Sequence, residues 1–141
     1  MNDHSRESAG LVFTLIGTAQ AVQERLEGVL VPFNLSLAKL GVLHHLADSA
    51  VPVSLSELAR HQQCVRSNIT QIMDRLEKDG LVKRRADPSD RRGVQALLTA
   101  AGRRAYRAGW DALIAEQRAI VQELGAGPAD NLKGALELLG K

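Results

Sequence analysis

This sequence predicts a mainly α-helical protein with one small β-hairpin. Two observations carry that prediction. Apolar residues recur at three- and four-residue spacing through most of the 141-residue chain. Between Leu81 and Thr99 this period gives way to two short β-compatible runs, Leu81–Ala86 and Val94–Leu98, around the turn Asp87-Pro88-Ser89-Asp90-Arg91-Arg92-Gly93.

The elements follow in order. Residues 1–8 read as a frayed tail. Val12, Leu15, Ile16, Ala19, Val22, Leu26 and Val29 mark a helix from Leu11 to about Leu30, which Pro32 ends. Ser36 caps a second helix bearing Leu37, Leu40 and Leu43. Val51-Pro52-Val53 is a short extended link. Ser54-Leu55-Ser56-Glu57 is a capping box opening a helix to about His61. The next helix, Arg66–Asp79, stops at Gly80, a residue suited to the left-handed conformation. After the hairpin, Thr99 caps a long helix to about Leu124, roughly 37 Å by helix rise. Gly125-Ala126-Gly127-Pro128 breaks it, and Ala129–Leu139 forms the last helix.

This order is that of a winged helix-turn-helix with long terminal helices. Residues 35–99 make the winged lobe. Residues 1–34 and 100–141 supply helices whose apolar stripes exceed what that small core can bury, so a second subunit is expected to cover them.

Composition narrows the function. Hydrophobic residues make up 45% and charged residues 24%, ordinary values for a globular chain, and aromatics are only 3%. No apolar run reaches the roughly 18 residues needed to span a bilayer. Met1–Gly10 is polar and shows no leader peptide, so a cytoplasmic location without membrane contact is expected. The single cysteine excludes an intrachain disulfide framework. His4, His44, His45 and His61 show no metal-ligand spacing, and no catalytic or phosphate-loop motif occurs. No cofactor, metal or enzymatic activity is expected.

Net charge is only +2, but five of the 19 residues from Leu81 to Thr99 are basic: Lys83, Arg84, Arg85, Arg91 and Arg92. A hairpin needs no such charge for stability, whereas one that lies against phosphate does. A helical wheel of Val65–Lys78 places Val65, Ile69, Ile72 and Leu76 on one stripe and Ser67, Thr70, Gln71, Asp74 and Lys78 opposite. Arg66 flanks one side, Asn68 and Arg75 the other. Hydroxyls, amides and guanidiniums are the groups that read base edges. Asp74 opposes them in sign and is expected to pair with Lys78 or orient a neighbouring basic residue.

The stretch Leu55–Gly102, with SNITQIMDRLEKDGLVKR and the wing pattern DPSDRRGVQALLTAAG, resembles the MarR family of bacterial transcriptional regulators. The flanking helices match that family in length and order. The resemblance implies a homodimer on a pseudo-palindromic double-stranded DNA operator. Its recognition helices would enter major grooves about 34–36 Å apart, through Arg66, Ser67, Asn68, Thr70, Gln71 and Arg75. The wings would reach the minor grooves, with Arg91 at the backbone or in a structural ion pair, while Arg84 and Arg85 read either as phosphate contacts or as solvated strand residues. Arg92, held out by Asp90, would be inserted where an arginine reads groove shape. Gln62, Gln63 and Val65 depart from the family pattern just before the recognition helix.

The resemblance also implies a repressor released by a small aromatic or anionic effector, with Phe13, Phe33, His44, Tyr106 and Trp110 as candidate lining. Two alternatives stand beside it. One is a thiol redox sensor acting through Cys64, whose oxidation beneath the recognition helix would disturb that helix. The other is a winged-helix module that binds protein instead of DNA.

Overall fold

A computed structural model describes residues 3–62 and 66–141, with only the backbone of Asp3, Arg66 and Ser67. The helices are α1 (Asp3–Leu30), α2 (Leu37–Asp48), α3 (Leu55–His61), α4 (Arg66–Lys78), α5 (Ala100–Leu124) and α6 (Ala126–Leu139). Three strands, β1 (Val53–Ser54), β2 (Val82–Ala86) and β3 (Val94–Leu98), form an antiparallel sheet in the order β1-β3-β2. The mainly α architecture with a hairpin wing is therefore as expected.

Most helix ends obey the local chemistry of the sequence. Ser36 Oγ accepts from the Lys39 amide at 3.1 Å, Ser54 Oγ from Glu57 at 3.1 Å, and Thr99 Oγ1 from Gly102 at 2.9 Å. Gly80 stands at φ 73° after α4. Glu27 of α1 also caps α2, its carboxylate accepting the Leu37 amide at 3.1 and 3.2 Å.

Two expectations need correction. The first helix begins at Asp3, not Leu11. Nothing in the polar start breaks a helix, and acidic residues near the N-terminus suit its dipole. The last helix begins at Ala126, because Gly125 alone makes the break at φ 83° and Pro128 is tolerated in the first turn. The extended link before α3 is a short strand, as expected, with Val53 opposite Ala96 and Ser54 opposite Gln95 on β3. It ties the base of the wing to the start of α3.

The core lies in the winged lobe, where Leu43, Leu58, Ile69, Met73 and Leu76 have no exposed surface. Met73 joins Ile69 and Leu76 on the buried face of α4, while Ile72 is only half-buried, a rotation of the stripe from the expected wheel. The terminal helices pack less completely. Leu11, Val12, Phe13, Leu15 and Ile16 of α1 are exposed, as are Leu132, Leu136, Leu138 and Leu139 of α6. Between them runs an apolar groove of about 350 Å³ lined by Leu15, Val22, Leu26, Ile120, Leu132 and Leu136. Arg25 joins α1 to α5, paired with Glu116 and Glu123, and the guanidinium beside Glu123 holds that carboxyl below its usual range. Among the described residues no single helix is long and apolar enough to cross a membrane.

Candidate nucleic-acid interface

The two elements expected to read DNA are built as one unit. α4 buries Ile69, Met73 and Leu76 and exposes Asn68, Thr70, Gln71, Asp74, Arg75 and Lys78. Of the remaining recognition-helix candidates, the side chains of Arg66 and Ser67 lie outside the described residues, as do Gln63, Cys64 and Val65. The thiol expectation for Cys64 therefore has no structural counterpart here.

Arg84 couples the wing to that helix. Its Nη2 donates to Asp74 Oδ1 at 2.6 Å and to the Thr70 carbonyl at 3.1 Å. Its amide donates to Glu77 Oε2 at 3.0 Å, with Nη1 of the guanidinium 3.5 Å from Glu77 Oε1. Asp74 thus orients a basic residue, as one expectation held, but the partner is Arg84 on β2 and not Lys78 one turn on. Arg84 is engaged with α4 and positions the wing, leaving little of its guanidinium for phosphate. Arg85 is held in part as well, its Nε donating to the cross-strand Gln95 Oε1 at 3.0 Å.

The tip has different chemistry. Asp87 Oδ1 accepts from the hydroxyl and amide of Ser89 at 2.7 and 2.9 Å, and these bonds, with Arg85 nearby, hold its carboxyl below the usual carboxylate range. Asp90 Oδ1 accepts from the backbone amide of Arg92 at 3.0 Å. This corrects the expected Asp90–Arg92 side-chain pair. A tethered amide two residues on is already in place for an Asx turn, whereas an exposed ion pair is worth only about 0–1 kcal/mol. Asp90 shapes the loop, and Arg91 and Arg92 stand exposed with no partner among the described residues.

Thr99 and Gly102 seat the hairpin on α5. Thr99 Oγ1 donates to the Gly80 carbonyl at 2.7 Å, and its amide donates to the Leu81 carbonyl at 3.1 Å. Gly102 lies flat against this junction. A Cβ there would stand 1.9 Å from the Leu81 oxygen and 2.8 Å from Leu98 Cδ1.

The expected effector lining divides. His44, Tyr106 and Trp110 come together where α2 meets α5. His44 and Trp110 stack with centroids 4.5 Å apart and planes 3° from parallel, and His44 Nδ1 is hydrogen-bonded to the Tyr106 hydroxyl at 2.8 Å. Phe13 is 74% exposed on α1 and Phe33 is 39% exposed before α2, so neither joins this cluster. Phe13 belongs instead to the uncovered apolar face of α1.

Burial, and secondarily the Asp48 charge, push the Tyr106 phenol above its ordinary value. The neutral phenol is the form this site favours. Its stabilising contribution is intact below the ordinary tyrosine value, about 10, and is lost as pH rises through the higher folded value. Tyr106 is the only tyrosine, so phenolate absorbance reports it alone. An alkaline titration of the native protein is expected to show a midpoint above that of free tyrosine. A midpoint at or below it would contradict the burial.

One grouping was hidden from sequence reasoning. His45, Glu57 and His61 place one ligating atom each within 4.8 Å of one another. This amends the expectation that the histidines show no metal-ligand arrangement. His45 and His61 are far apart in sequence, and only the packing of α2 on α3 brings them together. Glu57 accordingly makes half a capping box: its amide is bound by Ser54, while its carboxylate faces the two imidazoles.

A family model described as the MarR family matches residues 35–94. The chain is 28% identical to the HTH-type transcriptional repressor Rv2887 of Mycobacterium tuberculosis, over 95% of this chain and 96% of that protein. In structure it is similar to Sco3205, a MarR family transcriptional regulator from Streptomyces coelicolor solved in complex with DNA. That match has a TM-score of 0.83 and 26% identity over 95% of this chain and 89% of the other. It is also similar to CouR from Rhodococcus jostii RHA1, solved bound to p-coumaroyl-CoA, with a TM-score of 0.75 and 26% identity over 94% and 92% of the two chains.

Proposed function

We propose that this chain is a member of the MarR family of transcriptional regulators, a cytoplasmic homodimer that binds a pseudo-palindromic double-stranded DNA operator and represses transcription. The observation that carries this reading is the pair of arginines, Arg91 and Arg92, whose guanidiniums have no partner among the described residues, at the tip of a wing tied to α4 by Arg84. Free guanidiniums on a stiff arm are what a minor groove attracts, and the polar outer face of α4 offers the donors and acceptors that a major groove presents in return. Arg66, Ser67, Asn68, Thr70, Gln71 and Arg75 are assigned to the helix contact. Arg85, Arg91 and Arg92 are assigned to the wing contact, with Arg84 and Asp90 as positioning residues. That Sco3205 was solved in complex with DNA supports the DNA-binding reading. A transcriptional regulator of this kind carries out no catalysis.

The exposed faces of α1 and α6 are the surfaces a second copy covers. The stacked His44–Trp110 pair beside Tyr106 is the place for an aromatic or anionic effector, a reading that the coumaroyl thioester held by CouR supports.

The test is salt-dependent binding to a duplex fragment selected from the chain's own genome. Arg92→Ala is expected to weaken binding and to flatten the slope of log K against log[salt] by about 0.9, one phosphate contact's worth. Unchanged affinity and slope would remove Arg92 from the interface. Absence of any duplex binding at low salt would instead favour a protein-binding winged module.

A further inference from the structure

We propose that His45, Glu57 and His61 form a binding site for one zinc-class divalent cation, clamping the end of α3 to α2. The three ligating atoms converge without satisfying one another. His45 Nε2 lies 3.8 Å from Glu57 Oε1, and His61 Nε2 lies 3.9 Å from the same oxygen. Both distances exceed hydrogen-bond length. His45 Nε2 is buried and has no hydrogen-bond partner among the described residues, which is uncommon for a buried polar atom in a native protein. A small cation resolves this arrangement. Ligands held about 2.0–2.2 Å from zinc stand roughly 3.4 Å apart at a tetrahedral angle, so each histidine closes on Glu57 by about half an ångström, and the two imidazole nitrogens, within 4.8 Å of each other, close by up to about 1.4 Å.

The sequence places these ligands well. Glu57 and His61 are four residues apart on α3 and project from the same face. His45 comes from the last turn of α2, across the helix interface. Two imidazoles and one carboxylate are a ligand set that zinc uses when its fourth position stays open to water. The partial exposure of Glu57 and His61, 41% and 54% of their side chains, supplies that opening and a route of entry. A hard cation such as Mg²⁺ would find one oxygen and two nitrogens and is a poor match. The ion would hold α3 in place just ahead of α4. Nothing in this assignment depends on the chain binding DNA.

The experiment titrates Zn²⁺ into tag-free, metal-stripped protein against a chromogenic chelator, with thermal unfolding followed in parallel. One Zn²⁺ per chain and a raised unfolding midpoint are expected, with no response to Mg²⁺. His61→Ala and Glu57→Gln alter exposed side chains, so each is expected to stay folded by circular dichroism while losing at least tenfold in Zn²⁺ affinity. His4→Ala is the control, since the exposed His4 imidazole faces Glu7 on α1, and it is expected to bind as wild type. Wild-type zinc affinity in both α3 variants would overturn the site. So would equal binding of Mg²⁺, or failure of the wild-type protein to take up Zn²⁺.

Discussion

Gly102→Ala is expected to lower the thermal midpoint by roughly 8 °C or more, a loss of at least about 2 kcal/mol. By helix propensity alone the change should be favourable, since alanine exceeds glycine by about 1 kcal/mol inside a helix. Packing reverses the sign. The added methyl would lie 1.9 Å from the Leu81 carbonyl oxygen, far inside contact distance. That oxygen cannot swing away cheaply, because it accepts the Thr99 amide at 3.1 Å. Either α5 lifts from the hairpin or the base of the wing opens. Gly134→Ala gives the contrast. Nothing lies within 4 Å of a Cβ at Gly134, on α6, and that variant is expected to match or exceed wild-type stability by up to about 1 kcal/mol. Equal midpoints for Gly102→Ala and wild type in a melting experiment would refute the close approach.

Phe13→Asp is expected to convert the proposed dimer to a folded monomer. The ring is 74% exposed on the single chain, so the substitution leaves the subunit's own core untouched. In a two-fold interface the same change occurs twice. Burying a phenylalanine is worth about 1.5–3 kcal/mol, so two copies amount to roughly 3–6 kcal/mol before any cost of burying the new carboxylates. This corresponds to about 10²- to 10⁴-fold in the dimer dissociation constant. Sedimentation at micromolar concentration would show the shift, and circular dichroism would show the helices retained. Affinity for a two-half-site operator is expected to fall by at least about 10²-fold, since each half-site would then be bound without the benefit of its neighbour. A variant that sediments as a dimer would exclude α1 from the interface.

What the sequence disclosed, and what it withheld, divides by range. Ser36, Ser54, Thr99 and Gly80 announce helix ends because caps act over three or four residues, and each occupies its expected role. The two hairpin strands were legible for the same reason: Val94–Leu98 is β3, and β2 takes all of the expected run but Leu81. Contacts between distant elements were not. Arg84 looks like one of five similar cations until β2 folds over α4 and sets it against Asp74 and Glu77. His45 and His61 share a site only once α2 packs on α3. Phe13 and Phe33 look like pocket lining because aromatics are scarce in this chain, yet scarcity says nothing about which face of a helix they occupy. Even in the turn, Asp90 had two available partners, and the nearer backbone amide took precedence over the longer guanidinium.

The Arg84 linkage has a consequence for what such a protein tolerates in its target. With Asp74 and Glu77 gripping β2, the separation between the helix that faces the bases and the arginine tip is a fixed length, like the gap between two prongs. In the proposed dimer, the separation between one such fork and its twin is set instead by long terminal helices, where a small change of angle is multiplied by the length of the arm. Sequence drift within a half-site therefore meets a rigid gauge, while drift in the spacer between half-sites meets an adjustable one.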